Sequence, residues 1–166
     1  LGGGWPDTFM DVISGINKLS HLGKFDLNME RLVLMGHSAG GHLAVLAGAR
    51  SDLLELKPSL VLGLAAITDV ETYVRGTNSC QKSALAFMGG GPDELSDIYK
   101  EVQPANHKVD PNTVLLYGAV DQIVPAAQAL LPGARPLRHD SAGHFDWIHP
   151  GTDAFRTILL MLSKEL

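Results

Sequence analysis

The chain has 166 residues, 45% of them hydrophobic and 19% charged, a balance that builds one domain with its own core and excludes a disordered polymer. Its net charge is -5 at pH 7, and the 13 Lys and Arg are scattered, which excludes the clustered basic face that nucleic-acid phosphates require. The longest apolar runs, such as Leu60 to Ile67, are far too short to cross a bilayer, and the one cysteine, Cys80, permits no internal disulfide.

The chain opens at Leu1-Gly2-Gly3-Gly4 without a methionine, and no signal peptide is read because the first residues lack a basic start and a continuous apolar segment. A fragment or processed product is expected, in a reducing, cytoplasmic compartment. Pro6 sits where a helix begins, and Phe9, Val12, Ile13, Ile16 and Leu19 follow at helical spacing before Gly23, so residues 6–20 are predicted helical. Arg31 to Met35 is an apolar run ending at Gly36 and reads as a buried parallel strand, followed by a small-residue helix to about Arg50. Leu60 to Ala66 is the second predicted strand.

Residues 69–111 are rich in Gly, Pro and polar side chains, with helices near Ser83–Met88 and Glu94–Val102, and read as a cap-like insertion over the strand ends. Val114 to Tyr117 is the third predicted strand, Pro125 to Leu131 a helix, and Arg135 to His139 the fourth strand. Thr152 to Leu166 closes the chain as a helix with Phe155, Ile158, Leu159 and Leu162 on one face. Strands alternating with helices give an α/β fold class with a mostly parallel sheet and right-handed crossovers.

The sharpest chemical signal is Gly36-His37-Ser38-Ala39-Gly40, a Gly-x-Ser-x-Gly match between an apolar strand and a helix. Such a turn lifts the serine hydroxyl above the sheet. Side chains two residues before and after the serine would collide with neighbouring backbone, so Gly36 and Gly40 are both read as required. The following helix N-terminus aims N–H groups, first that of Ala39, at a developing oxyanion. A serine needs a base, and the base an orienting group. Asp121 follows the third strand and His144 the fourth, both at the strand ends where α/β sheets build their sites, and the chain order Ser, Asp, His is that of α/β-hydrolases.

Rivals exist for each role. His37 and His42 flank the turn and read as packing or supporting groups, and His21, His107, His139 and His149 as solvated residues near turns. Asp69, after the second strand, reads as a turn or cap-anchoring residue, and Asp146 as a residue that fixes the His144 loop. Cys80 is expected to be a small, buried or partly buried hydrophobe. Trp5 and Trp147 read as core, with an acyl-pocket wall as the alternative.

Gly-His-Ser-Ala-Gly-Gly-His at 36–42, Gly-x-x-Asp-x-x-Val-Pro from Gly118 to Pro125 and Ala-Gly-His-Phe-Asp at 142–146 resemble the esterase/lipase branch of the α/β-hydrolases, including carboxylesterases, arylformamidase-like and prolyl-oligopeptidase-like enzymes. The resemblance covers nearly the whole chain. It implies a serine hydrolase of carboxylic ester or amide bonds on a small-molecule substrate, working through an acyl-enzyme without cofactor or metal. In that reading Ser38 is nucleophile, His144 base, Asp121 its orienter and Ala39 N–H an oxyanion donor. Members of the branch carry further N-terminal strands, one ending in a His-Gly-Gly loop that completes the oxyanion hole. This sequence has no such loop, and Gly2-Gly3-Gly4 is read as a connector. The strand Leu32–Met35 is then expected to be an exposed apolar edge through which the chain forms homo-oligomers, with weak activity. The competing classes are a non-catalytic binding or assembly module and an aminopeptidase-like hydrolase, for which no acidic anchor is identified.

Overall fold

The computed structural model describes residues 3–165, so Gly2 of the opening glycine run and Leu166, the last residue of the expected C-terminal helix, lie outside the described residues. The fold is α/β, as expected: a four-stranded parallel sheet in the order β1-β2-β3-β4, flanked by helices. The strands are β1 (Val33–His37), β2 (Leu60–Leu64), β3 (Thr113–Gly118) and β4 (Arg135–His139). Register pairs His37 with Leu64 across β1 and β2, and Gly118 with His139 across β3 and β4, so strand ends carrying the candidate site lie side by side. β2 is buried at all five positions because helices cover both faces of the sheet.

One face carries α1 (Asp7–Asn17) and α2 (Ala39–Ala49), which bury Phe9, Ile13, Val45 and Leu46 against Leu34, Val61 and Leu115. The opposite face carries α6 (Asp153–Glu165) and Trp147, packed on Leu60, Leu62, Val114 and Leu116. The first helix is shorter than residues 6–20, because it tightens into a 3₁₀ turn at Lys18–His21. On α6, Ala154 and Ile158 are buried while Leu159, expected on the inner face, is 51% exposed. The 3.6-residue period carries the buried stripe from Ile158 to Met161 and Leu162, leaving Leu159 turned about 100° away.

Between β2 and β3 the chain forms α3 (Val70–Tyr73), α4 (Ser79–Met88) and α5 (Ser96–Val102). α4 starts on a capping box in which Asn78 accepts from Gln81 N–H and Gln81 accepts from Asn78 N–H. It ends at Gly89 in the left-handed region (φ 80). Cys80 lies in the first turn of α4 and is exposed rather than buried, since the helix turns Ala84, Phe87 and Met88 toward the core instead. The segment Pro125–Leu131 is not an α-helix but a 3₁₀ turn over Ala126–Ala129. Here Gln128 is buried and acts as surrogate backbone: its Oε1 accepts from Thr68 and Asp69 N–H, both at 2.7 Å, and its Nε2 donates to Asp69 C=O at 3.0 Å. Among the described residues no helix is long and apolar enough to cross a membrane.

Candidate active site

β1 ends in the tight turn the sequence promised. Ser38 has φ 56 and ψ -118, a conformation that costs a non-glycine residue about 1–3 kcal/mol and persists only where its surroundings impose it. They do: Ser38 N–H donates to Leu64 C=O at 2.9 Å, and Ser38 C=O accepts from His42 N–H at 3.0 Å as α2 begins. Gly36 is required, because a Cβ there would stand 2.0 Å from the Gly40 carbonyl oxygen. The matching expectation for Gly40 does not hold, since a Cβ at Gly40 meets nothing within 4 Å. Gly40 contributes its carbonyl to the close approach while its Cα faces outward. The second glycine under pressure is Gly41, where a Cβ would meet Ala66 Cβ at 2.7 Å and the Gly36 carbonyl at 2.9 Å.

Asp121 and His144 are brought together. His144 Nδ1 donates to Asp121 Oδ2 at 2.8 Å, with the two side chains 5% and 3% exposed. The other carboxylate oxygen of Asp121 accepts from Ile123 and Val124 N–H at 2.8 and 2.9 Å, so the whole carboxylate is held. With Nδ1 committed as donor, Nε2 is the nitrogen left to take a proton. The His144 loop is braced by Asp146, which accepts from Gly143 N–H at 2.7 Å, and by Val120 N–H, which donates to Ala142 C=O at 3.3 Å. That crossing depends on Gly118, where a Cβ would stand 2.0 Å from the Ala142 carbonyl oxygen. Gly118 was visible in the motif before Asp121, but its role was not.

His37 joins the serine turn to His144. Its Nε2 donates to the His144 carbonyl at 2.8 Å, and its ring lies 4.5 Å from the His144 ring. Burial lowers the His37 pKa, against the pull of that hydrogen bond, so the residue is a neutral donor. Ser38 makes no side-chain hydrogen bond to His144 among the described residues, a looseness common before substrate binds. His42 is buried on α2: Nδ1 donates to Ile67 C=O at 2.9 Å, Nε2 has no partner among the described residues, and burial lowers its pKa to about 4.

The remaining candidates stand apart from this site. Asp69 caps α3, accepting from Thr72 N–H at 2.9 Å and from Gln103 Nε2 at 2.9 Å. His21 pairs loosely with Glu55, His107 donates to Glu101 C=O, and His149 accepts from Gly151 N–H. His139 meets Trp147 edge-on at 6.0 Å. Trp147 is fully buried in the core and Trp5 stacks on Phe9 at 5.4 Å. Among the described residues no group of three or more His, Cys, Asp and Glu is placed to hold a metal ion.

Solved structures match this architecture. The bifunctional GH43-CE protein of Bacteroides eggerthii superposes with a TM-score of 0.79 at 18% identity, over 98% of this chain and 27% of its own. Esterase B of Lactobacillus rhamnosis gives 0.78 at 18% identity, over 98% and 61%. The acylaminoacyl peptidase of Pyrococcus horikoshii gives 0.73 at 18%, over 97% and 28%. At these identities the likeness is one of fold, and the chain spans between 27% and 61% of these proteins' lengths. No curated protein matches the chain in sequence. The BD-FAE family model matches residues 3–131, a stretch that includes Ser38 and Asp121 and stops before His144. With that match over most of its length, the chain belongs to the BD-FAE family, an α/β-hydrolase-type esterase domain.

Proposed function

We propose that the chain is a serine hydrolase of carboxylic esters, with amides as the wider class, acting on small molecules through an acyl-enzyme. Ser38 Oγ attacks the carbonyl carbon, His144 Nε2 takes its proton and returns it to the leaving group, and Asp121 holds the imidazole. The Ala39 N–H, first of α2, stabilises the oxyanion. Water then repeats the sequence and frees the acid. The observation that carries this reading is the buried 2.8 Å His144–Asp121 contact, which leaves Nε2 as the only nitrogen free to act, on the sheet edge where Ser38 sits in a strained turn. Family membership and neighbours named as esterases and a peptidase support the same class.

In this reading residues 69–111 act as a cap that shapes the pocket, the lone Cys80 suits a reducing cytoplasm, and the β1 edge is where copies of the chain associate. A non-catalytic binding module is the second reading, favoured by the missing Ser38–His144 hydrogen bond. Hydrolysis of p-nitrophenyl acetate and butyrate separates the two. Ser38→Ala and His144→Ala are expected to fall to background, and Asp121→Asn to lose about 10⁴-fold. Equal rates in the parent chain and Ser38→Ala would leave the binding module as the surviving reading.

A further inference from the structure

Ser38 and His144 come from opposite edges of the sheet. Ser38 follows β1 and His144 follows β4, with β2 and β3 between them. Neighbouring strands lie about 4.8 Å apart, so the His144 loop has to reach back across about 14 Å of sheet edge to meet the serine. Asp121, after β3, holds the imidazole through Nδ1 at 2.8 Å, and Val120 N–H holds the same loop through Ala142 C=O at 3.3 Å. Both anchors stand on the β3 side. They orient the ring and leave open how far the loop extends toward β1.

His37, the last residue of β1, reaches the loop from the other side. Its Nε2 donates to the His144 carbonyl at 2.8 Å, and among the described residues this is the one hydrogen bond that joins 36–42 to 139–147. The carbonyl that accepts is His144's own, so the bond acts on the backbone from which the imidazole hangs. The two rings lie 4.5 Å apart, tilted by 53°, and Phe145 packs on both, at 5.9 Å from His37 and 5.0 Å from His144. Burial lowers the His37 pKa, outweighing the bond to the His144 carbonyl and the charge of Asp121. A neutral imidazole has one N–H, here on Nε2, and sets no like charge against a neighbouring ring that must become imidazolium.

We propose that His37 is a positioning residue: its bond to the His144 carbonyl draws the His144 loop across the sheet edge and sets the reach of Nε2 to Ser38 Oγ. The inference rests on the serine hydrolase reading above and adds to it a residue that acts through His144. The Ser38 hydroxyl and the His144 imidazole share no hydrogen bond among the described residues, so their separation depends on how the loop is held. A misplacement of about 1 Å costs about 10²-fold in rate. His144 serves both acylation and deacylation, so a loop that falls short slows both steps and leaves substrate binding alone.

The test compares variants that differ in the donor. His37→Phe keeps a ring beside His144 and removes the N–H. His37→Gln carries an amide N–H about as far as the imidazole Nε2, and His37→Asn carries the same amide too short to reach. With p-nitrophenyl butyrate, His37→Phe and His37→Asn are expected to lose about 10²-fold in kcat with KM unchanged, and His37→Gln to stay within about tenfold of the parent chain. The downfield proton resonance of His144 Nδ1–H, held by Asp121, is expected in every variant and reports that the fold and the pair are intact. Equal kcat in the parent, His37→Phe and His37→Asn would overturn the positioning role. So would a His37→Gln protein as slow as His37→Asn, a loss confined to KM, or disappearance of the Nδ1 resonance from both His37→Phe and His37→Asn. Each of these leaves the serine reading intact, whereas a parent chain no faster than Ser38→Ala would overturn that reading and the role of His37 with it.

Discussion

Gly36 and Gly118 do the same work in two places: each lets another segment's carbonyl pass where a Cβ would stand 2.0 Å away. At Gly36 the passing segment is the first turn of α2, so the glycine sets how sharply the chain reverses at Ser38. At Gly118 it is the loop that carries His144, so the glycine sets how closely that loop approaches Asp121. A backbone carbonyl cannot swing aside as a side chain can, so the added methyl must displace a whole segment. Gly36→Ala and Gly118→Ala are expected to lose about 3 kcal/mol or more of stability. Gly40→Ala has the opposite sign despite lying in the same five-residue motif: it enters a helix turn with open space around it and is expected to gain about 0.5 kcal/mol. Urea unfolding of the three variants checks this order, and a Gly40→Ala protein as damaged as Gly36→Ala would show that the turn is tighter than described.

α2 connects the serine turn to the core through His42. The buried imidazole donates to Ile67 C=O and so pins the loop after β2 to the helix after β1. Burial lowers the folded-state pKa from 6.5 to about 4, so the unfolded chain binds a proton more readily than the folded one. Stability is full above pH 6.5 and is lost as pH falls through the window from 6.5 to about 4, by about 3 kcal/mol in total. His42→Gln keeps a donor for Ile67 C=O and does not titrate. The difference in unfolding free energy between parent and variant should therefore shrink by about 3 kcal/mol between pH 7 and pH 4, and a difference that stays constant with pH would place the acid sensitivity elsewhere.

The elements themselves show what the sequence could convey. β1, β2, β3 and β4 were legible as apolar or bounded runs, and the contact between Asp121 and His144 by motif and chain order, because each signal lies within a few neighbouring residues. Gln128, Gly41 and Gly118 were not legible in their roles, since each acts on a segment that folding brings from elsewhere: Gln128 on residues 68 and 69, Gly118 on Ala142. The expected helix at 125–131 failed for the same reason. Gln128 meets the β2–α3 loop with its side chain and holds the segment as a single 3₁₀ turn.

Across the whole molecule the two edges of the sheet differ in a way that bears on association. β4 carries Arg135, Pro136 and Arg138, charges and a missing N–H that discourage another strand from pairing. β1 carries Val33, Leu34 and Met35 without a charge, and Met35 is 48% exposed. Strand alternation puts Met35 on the side of Val33, the face packed by α6, where Leu159 and Leu160 are also exposed, at 51% and 65%. An uncharged edge strand beside uncovered apolar side chains is a template for a second copy, whereas the arginine-bearing edge is not. The chain is therefore expected to self-associate with rising concentration in sedimentation velocity. Met35→Lys, a substitution at a half-exposed position that places a charge on the edge, should return it to monomer. A mutation on the other edge, Arg138→Ala, should leave the association through β1 in place. A parent chain that stays monomeric throughout, or an association that Met35→Lys does not weaken, would mean that β1 is not where copies meet.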